Sequence, residues 1–364
     1  MSVQQPDIGQ IDKKLNIEES VHEADIKYYN TRTAPVDFYG LYNPREEKAF
    51  CRMPLDKARA VSGSVGILST YTAGGRIRFK TDSEYVAIRC VRPPRASIMS
   101  HITFLGCSGF DVYEYIDGKF QYLDSLVPPA KLTDGYESVV HFETRREREI
   151  MLHFPLYDRI TDLYLGLQED ATLSHGSKYT YETPVVYYGS SVTQGGCAAR
   201  PGTTDSAFLS RWLDFDFVNL GFSGSAKGEQ AIADYIAGLN MSVFVYDYDQ
   251  NSEYKNLEET HWNMYKTIRK AQPKLPIIMA SKKTLYVKPS EREETFLRRE
   301  AIMRNFEKAR AEGDDRVFFL DGLTVFQDHG GDECTVDGSH PTDLGFYLIA
   351  KAFEPFVKHC LTLE

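Results

Sequence analysis

The chain has 364 residues and a mass of 41.5 kDa, which exceeds one ordinary domain of about 100 to 200 residues, so we expect two domains. Hydrophobic residues make up 42% and charged residues 26%, which excludes disordered and collagen-like chains. The net charge of −10 argues against a nucleic-acid partner, because phosphates bind clustered lysines and arginines.

The N-terminal residues 1–7 lack the basic and then apolar pattern of a signal peptide. No apolar run approaches the roughly 18 to 20 residues that a membrane-spanning helix needs. The sequence therefore predicts a cytoplasmic protein with no membrane partner, and a polar leader over about residues 1–25. Six cysteines are spread through the chain without a C-x-x-C pair, so we expect reduced, mostly buried thiols and no metal site.

Short runs that alternate polar and apolar residues follow one another from about residue 60 to residue 170. They are rich in β-branched and aromatic residues, as strands are, and no long helical pattern interrupts them. One of them ends in Asp117-Gly118, a hairpin signal. We predict an antiparallel, jelly-roll-like β-sandwich over residues 1–180, with strands at residues 76–80, 85–91, 111–116, 138–142 and 149–154.

The pattern changes after Pro184, where short apolar strands alternate with helices. Such alternation predicts a parallel sheet covered by helices on both faces, here over residues 181–364. The ligand site of such a sheet lies at the carboxyl ends of its strands. The predicted strands are residues 185–188, 216–220, 242–246, 275–280 and 316–320, and the predicted helices are residues 258–271, 291–311 and 343–361.

Polar loops follow several of these strands and would meet at one edge of the sheet. Acyl transfer needs a nucleophile, a base that takes its proton, and an acid that orients the base. Ser191 can be the nucleophile, His340 the general base, and Asp337 the acid that accepts the other imidazole N–H. Ser191 could instead cap the helix that follows it, and Asp337 could cap the last helix.

An ester carbonyl also needs hydrogen-bond donors where its oxygen becomes negatively charged. The backbone N–H of Ser191, the backbone N–H of Gly224 and the side-chain amide of Asn251 are the candidate donors of this oxyanion hole. Gly224 could alternatively serve a tight turn alone, and Asn251 could be a turn residue. The predicted chemistry requires neither a metal nor a cofactor.

Four sequence blocks resemble those of the SGNH or GDSL hydrolases. Gly224 and Asn251 stand where that family has its second-block glycine and third-block asparagine. The resemblance covers about residues 180–364 and implies a three-layer flavodoxin-like fold with esterase, lipase or acyltransferase activity. Ser190 stands where the family has aspartate, and residues 248–251 replace the usual G-x-N-D. The other two blocks are Gly189-Ser190-Ser191-Val192-Thr193-Gln194-Gly195 and Asp337-Gly338-Ser339-His340-Pro341, which resembles D-x-x-H-P.

A second resemblance lies in the β-rich half. Gly109-Phe110-Asp111-Val112-Tyr113 is similar to the G-x-D-L-Y motif of a domain that precedes some SGNH hydrolases and resembles carbohydrate-binding jelly rolls. Tyr113 could stack on a sugar face and Asp111 could accept hydroxyl hydrogen bonds, so both are candidate substrate-binding residues. The same alternation also fits an ordinary half-buried strand.

Three further residues are candidates for substrate binding. Arg200, downstream of the nucleophile, could hold a substrate or only a loop. His261 and Trp262 are expected at the start of a helix soon after Asn251, where they could line the pocket or form a packed structural pair.

These observations predict a serine esterase that acts on a small-molecule or oligosaccharide ester. The acyl group would be short, with acetyl favoured, and the substrate a hydroxylated compound such as a sugar; both details rest on the resemblances. The alternatives are an acyltransferase that uses the same acyl-enzyme, and a catalytically inactive carbohydrate-binding protein. The sequence leaves a homo-oligomer open.

Overall fold

The computed structural model describes residues 8–12, 17, 20–94, 99–129, 134–283, 289–327 and 330–363. None of the described helices is long and apolar enough to cross a membrane. All six cysteines are buried, in agreement with the sequence.

The N-terminal half is built mainly of antiparallel strands. They are β1 (Ile26–Asn30), β2 (Asp37–Tyr39), β3 (Arg76–Thr81), β4 (Tyr85–Val91), β5 (Phe110–Ile116), β6 (Lys119–Leu126), β7 (Gly135–His141), β8 (Arg148–His153), β9 (Asp162–Gln168) and β10 (Leu173–His175). Short helices accompany them: α1 (Ile8–Ile11), which lies in the predicted leader, α2 (Leu55–Val61), α3 (Gly63–Leu68) and α4 (Phe104–Ser108).

These strands form two sheets with one shared core. Within the described residues, one sheet has the order β1-β9-β4-β7, and the other has the order β10-β3-β8-β5-β6 with β2 paired to β3. Ile88 and Leu165 of the first sheet and Phe79 and Leu152 of the second are fully buried in the same apolar cluster. Because side chains alternate between the faces of a strand, the period-two pattern buries one face of each sheet. The predicted antiparallel sandwich is therefore confirmed.

The C-terminal half contains a parallel sheet. Its strands have the order β12-β11-β13-β14-β15, which is the 2-1-3-4-5 order of flavodoxin-like folds. The strands are β11 (Tyr181–Gly189), β12 (Phe215–Gly221), β13 (Val243–Asp247), β14 (Ile277–Ala280) and β15 (Val317–Leu320). The helices are α5 (Ser191–Gln194), α6 (Asp205–Leu213), α7 (Gln230–Ala237), α8 (Tyr254–Ala271), α9 (Arg292–Ala311) and α10 (Asp343–Cys360).

Helices cover both faces of this sheet. Val245 of β13 lies in one apolar cluster with Phe353 of α10, together with residues of α6. Its neighbour Phe244 lies in the opposite cluster with Met264 of α8, together with residues of α7 and α9. Strands buried on both faces explain the continuous apolar runs in the sequence. The predicted three-layer α/β fold is confirmed.

The two halves pack closely on each other. Ala58 of α2 is fully buried in the same cluster as Ile232 of α7, so α2 belongs to the N-terminal half but packs on the parallel-sheet half. The buried guanidinium of Arg52 donates hydrogen bonds to the backbone oxygens of Asn219 and Gly221 at 2.8 and 2.7 Å. The exact boundary at residue 180 remains a prediction; the last sandwich strand ends at residue 175 and β11 begins at residue 181.

Candidate active site

A tight turn between β11 and α5 presents Ser191 at the carboxyl edge of the parallel sheet. Gly189 permits this turn, since a Cβ atom there would lie 2.0 Å from Thr193 Oγ1 and 2.3 Å from the backbone oxygen of Asp247. The side chain of Ser190 caps α5 by accepting a hydrogen bond from the backbone N–H of Val192 at 3.2 Å. Ser190 thus supplies the cap, and the hydroxyl of Ser191 is left for another partner.

The structure brings Ser191, His340 and Asp337 together in one hydrogen-bonded line. Ser191 Oγ lies 2.8 Å from His340 Nε2, and His340 Nδ1 lies 2.8 Å from Asp337 Oδ2. A neutral imidazole has one donor nitrogen and one acceptor nitrogen. The carboxylate at Nδ1 favours the proton there, which leaves Nε2 free to accept the proton of Ser191.

The loop that carries Asp337 and His340 is held in place by its own backbone. The other carboxylate oxygen of Asp337 accepts hydrogen bonds from the backbone N–H groups of Ser339 and His340 at 3.0 and 2.8 Å. Burial alone would raise the pKa of Asp337, but these bonds and the imidazole of His340 outweigh it and lower the pKa to about 2. Thr342, and not Asp337, caps α10. Asp337 is therefore a fixed carboxylate directed at His340.

The two other candidate oxyanion residues lie on loops that a hydrogen bond connects. Gly224 has a φ of +67°, which favours glycine, and nothing lies within 4 Å of where its Cβ would be, so its loop is open on that side. Asn251 Nδ2 donates a hydrogen bond of 3.1 Å to the backbone oxygen of Phe222, two residues before Gly224. An amide nitrogen carries two hydrogens, so one remains for a ligand.

Two family models match this chain in consecutive regions. The model described as the GDSL-like lipase/acylhydrolase family matches residues 182–358, and the GxDLY model, the N-terminus of SGNH hydrolase-type esterases, matches residues 26–173. Residues 182–358 form a GDSL-like lipase/acylhydrolase domain. The N-terminal sandwich is a GxDLY domain, and the resemblances read from the sequence are confirmed.

Several solved structures superpose on nearly the whole chain. A protein from Bacteroides ovatus designated a GDSL-like lipase is 29% identical, with a TM-score of 0.85, and the match covers 93% of this chain and 99% of that one. A salicylyl-acyltransferase from a tetracycline biosynthetic pathway is 19% identical, with a TM-score of 0.75, over 94% and 100% of the two chains. An acetyl xylan esterase from the rumen bacterium Butyrivibrio proteoclasticus is 12% identical, with a TM-score of 0.54, over 93% and 99%. No curated protein matches the chain.

The GxDLY domain contributes residues to the site that the sequence did not single out. The hydroxyl of Tyr157 donates to the backbone oxygen of Ser191 at 3.3 Å and also bonds to Ser223 beside Gly224. The exposed ring of His101 lies against that of His340, with the two centroids 5.9 Å apart. His101 and Tyr157 lie in irregular stretches, where no periodicity in the sequence marks a functional position.

Arg200, Asp111 and Tyr113 contact one another at the interface between the two domains. Arg200 Nη1 donates hydrogen bonds to Asp111 Oδ2 at 2.8 Å and to the hydroxyl of Tyr113 at 2.6 Å. Asp111 and Tyr113 are 0% and 1% exposed. Asp111 and Tyr113 therefore offer no surface to a substrate in this structure, and together with Arg200 they form an anchor between the domains, which agrees with the structural alternative that the sequence left open.

His261 and Trp262 lie inside α8, which begins at Tyr254, and not at a helix start as expected. His261 is 1% exposed, its Nδ1 lies 3.0 Å from Asn305 Nδ2 of α9, and burial lowers its pKa to about 3. Lys308 Nζ of α9 lies over the ring of Trp262, 4.2 Å from its centroid. Both residues contact α9, so the structure fits the packed structural pair, which is one of the two alternatives that the sequence left open.

A cleft of about 820 Å³ opens beside the loop of Asp337. Asp337 and Ser339 line it together with Gln250, Lys282 and Arg298, so the cleft borders the carboxylate end of the hydrogen-bonded line, whereas Ser191 and His340 are not among its lining residues. Within the described residues, no group of three or more His, Cys, Asp or Glu side chains is arranged to hold a metal ion.

Proposed function

We propose that the protein is a serine esterase that removes a short acyl group, acetyl in the first instance, from a hydroxylated substrate such as a sugar. The observation that carries the proposal is the pair of 2.8 Å contacts that joins Ser191 Oγ to His340 and His340 to Asp337. A hydroxyl, an imidazole and a carboxylate in this order are the parts that activate a serine for attack on an ester.

The reaction would proceed through an acyl-enzyme. Ser191 Oγ bonds to the carbonyl carbon as its proton passes to His340 Nε2, and Asp337 stabilises the resulting imidazolium. The oxygen that becomes negative accepts hydrogen bonds from the N–H groups of Ser191 and Gly224 and from Asn251. The bond from the carbonyl carbon to the alcohol oxygen then breaks, and His340 returns the proton to that oxygen. Water repeats the sequence on the acyl-enzyme and releases the acid.

Support for an acetylated sugar as substrate comes from the comparisons. The solved structures that superpose on at least 90% of this chain include an acetyl xylan esterase and a family two carbohydrate esterase in complex with cellohexaose. The cleft of about 820 Å³ beside Asp337 falls within the usual range of about 300 to 1,000 Å³ for small-molecule sites.

Acyl transfer to an alcohol is the second candidate, because a salicylyl-acyltransferase has the same fold over 94% of this chain. It would use the same acyl-enzyme, with an alcohol in place of water as the second attacking group. The choice depends on how well the site excludes water and binds the acceptor.

The test compares wild type with Ser191→Ala on nitrophenyl esters from acetate to octanoate and on acetylated sugars. We expect wild type to prefer acetate and the variant to lose at least about a thousandfold in kcat. Ser174→Ala, which removes an exposed hydroxyl on β10, is the control and should match wild type. An ester formed from an added alcohol would identify an acyltransferase.

Two outcomes would contradict the proposal. A Ser191→Ala variant that keeps most of the activity would mean that Ser191 is not the nucleophile. A folded wild-type protein that binds glycans but turns over no ester would indicate the inactive binding protein instead.

A further inference from the structure

His101 is an exposed side chain of the GxDLY domain that reaches the candidate active site. Its ring and that of His340 have centroids 5.9 Å apart and planes inclined at 52°. We propose that His101 binds the alcohol portion of the ester through the hydroxyl groups of that portion, so that the N-terminal domain selects polyhydroxylated alcohols. This inference rests on the proposed esterase function and names the subsite that would recognise the sugar.

The segment that carries His101 is fixed to the loop that follows the nucleophile. Thr103 Oγ1 accepts a hydrogen bond from the backbone N–H of Gly106 at 3.0 Å, which starts α4, and donates one to the backbone oxygen of Ala199 at 2.5 Å. The backbone of Gly106 lies so close to Ala198 that a Cβ atom would be 2.2 Å from the oxygen of Ala198. The position of His101 is therefore tied to that of Ser191 across the domain interface.

His101 and its neighbour Ile102 have different environments. Ile102 is 6% exposed and lies in the apolar cluster of the GDSL-like domain that also contains Val192, the residue after the nucleophile. His101 itself is exposed. An apolar side chain thus holds the segment down, while the neighbouring imidazole stays available to a ligand.

The chemistry of the reaction puts the alcohol on the side of His340. In the acylation step His340 Nε2 gives its proton to the alcohol oxygen, so that oxygen must come within hydrogen-bond distance of the imidazole. The rest of the alcohol then extends past the residues that border the imidazole of His340. His101 is one of these residues. A neutral imidazole offers one donor and one acceptor, which matches the donor and acceptor character of hydroxyl groups.

The experiment measures selectivity between two alcohols that carry the same acyl group. Wild type, His101→Ala and His101→Gln are assayed on monoacetylated methyl glucosides and on ethyl acetate, which has no further hydroxyl. We expect the ratio of kcat/KM for the glucosides to that for ethyl acetate to fall about three- to tenfold in His101→Ala, the effect of one hydrogen bond. His101→Gln keeps a donor and an acceptor and should recover part of the loss. His175→Ala, which removes an exposed histidine of β10, should keep the wild-type ratio.

Two results would overturn the inference: an unchanged ratio in His101→Ala, including one that follows from an equal loss on both esters, or a preference of wild type for ethyl acetate. An equal loss would mean that His101 acts only by positioning His340.

A binding measurement separates this inference from the esterase proposal. The affinity for methyl glucoside is compared between Ser191→Ala and Ser191→Ala/His101→Ala by calorimetry. Weaker binding by the double variant supports the inference even if no ester is turned over, whereas equal binding overturns it.

Discussion

The carboxylate of Asp111 in β5 accepts a hydrogen bond of 2.8 Å from Arg200, which lies on the loop after the nucleophile. The same carboxylate oxygen accepts a second one from the backbone N–H of Gly202, also at 2.8 Å. Gly202 is required there, since a Cβ atom would lie 2.2 Å from the hydroxyl of Tyr113. The aspartate and tyrosine of the GxDLY motif thus attach the sandwich to the loop that follows Ser191.

Asp111→Asn should weaken this attachment. Asparagine keeps the shape but removes the charge, and its side chain no longer offers two acceptor oxygens to Arg200, Gly202 and Ser125. We expect the free energy of unfolding to fall by about 2 to 3 kcal/mol, as measured by urea denaturation. Asp117→Asn, an exposed hairpin position on the same sheet, is the control. Equal stability of Asp111→Asn and wild type would show that the anchor contributes little.

Asn251→Ala tests the oxyanion hole. Removing one such donor costs on the order of 100- to 1000-fold in kcat in other enzymes, and we expect a loss of that size with KM little changed. Asn251→Asp should lose at least as much, because a carboxylate repels the negative oxygen. Asn263→Ala on the exposed side of α8 is the matched control in steady-state kinetics. A loss below about threefold in kcat for Asn251→Ala would remove Asn251 from the site.

The residues that the sequence identified well are those with local signals. The apolar run of β13 marks a strand buried on both faces, and the turn at Gly189 marks where that sheet exposes a nucleophile. His340 and Asp337 are three residues apart in the chain and share one loop, so their contact follows from their spacing. These features depend on neighbours in the chain, which a sequence displays directly.

The features that the sequence did not reveal depend on distant parts of the chain. His101 meets His340 only because the two domains dock, and the sequence contains no signal for that docking. Alternation predicted a half-buried strand at Asp111, whereas the structure buries this carboxylate fully against Arg200. Arg200 stands 89 residues away in the chain, so no local pattern reveals the contact. The closeness of His261 to Asn251 in the chain left a pocket role and a structural role open; in the structure its position on α8 buries it against Asn305 of α9.

Asp337→Asn should disable the general base. The exchange leaves no carboxylate to stabilise the protonated ring of His340, and a comparable exchange in a serine protease costs about 10⁴-fold in kcat. We expect a loss of at least about a thousandfold on nitrophenyl acetate. Asp315→Asn, at an exposed position before β15, controls for the loss of one negative charge. A variant with more than a tenth of wild-type kcat would show that His340 works without Asp337.

The stability difference between wild type and Asp337→Asn should also depend on pH. The pKa of Asp337 is lowered from 3.8 to about 2 in the folded protein. The unfolded chain therefore takes up a proton first as the pH falls, and the stabilisation that Asp337 provides is present above about pH 4 and is lost towards pH 2. The stability difference between wild type and Asp337→Asn should shrink over that interval in urea titrations. A difference that stays constant down to pH 2 would contradict the lowered pKa.

Asp205→Asn should show the opposite pH dependence. Asp205 lies in the first turn of α6 and is 6% exposed, and burial raises its pKa from 3.8 to about 7, helped by Asp247 and opposed by Lys283. The folded protein therefore holds a proton that the unfolded chain releases above about pH 4, so this carboxyl lowers the stability progressively between pH 4 and pH 7.

Asparagine has no proton to release, so the stability of Asp205→Asn relative to wild type should rise from pH 4 to pH 7 and then level off. One proton limits the slope to about 1.4 kcal/mol per pH unit. Urea denaturation at several pH values measures it, and Asp56→Asn, at an exposed first-turn position of α2, reports the effect of losing a carboxyl outside the buried cluster. A relative stability that does not change with pH would mean that Asp205 is ionised in the folded protein, because Lys283 would then compensate its burial beside Asp247.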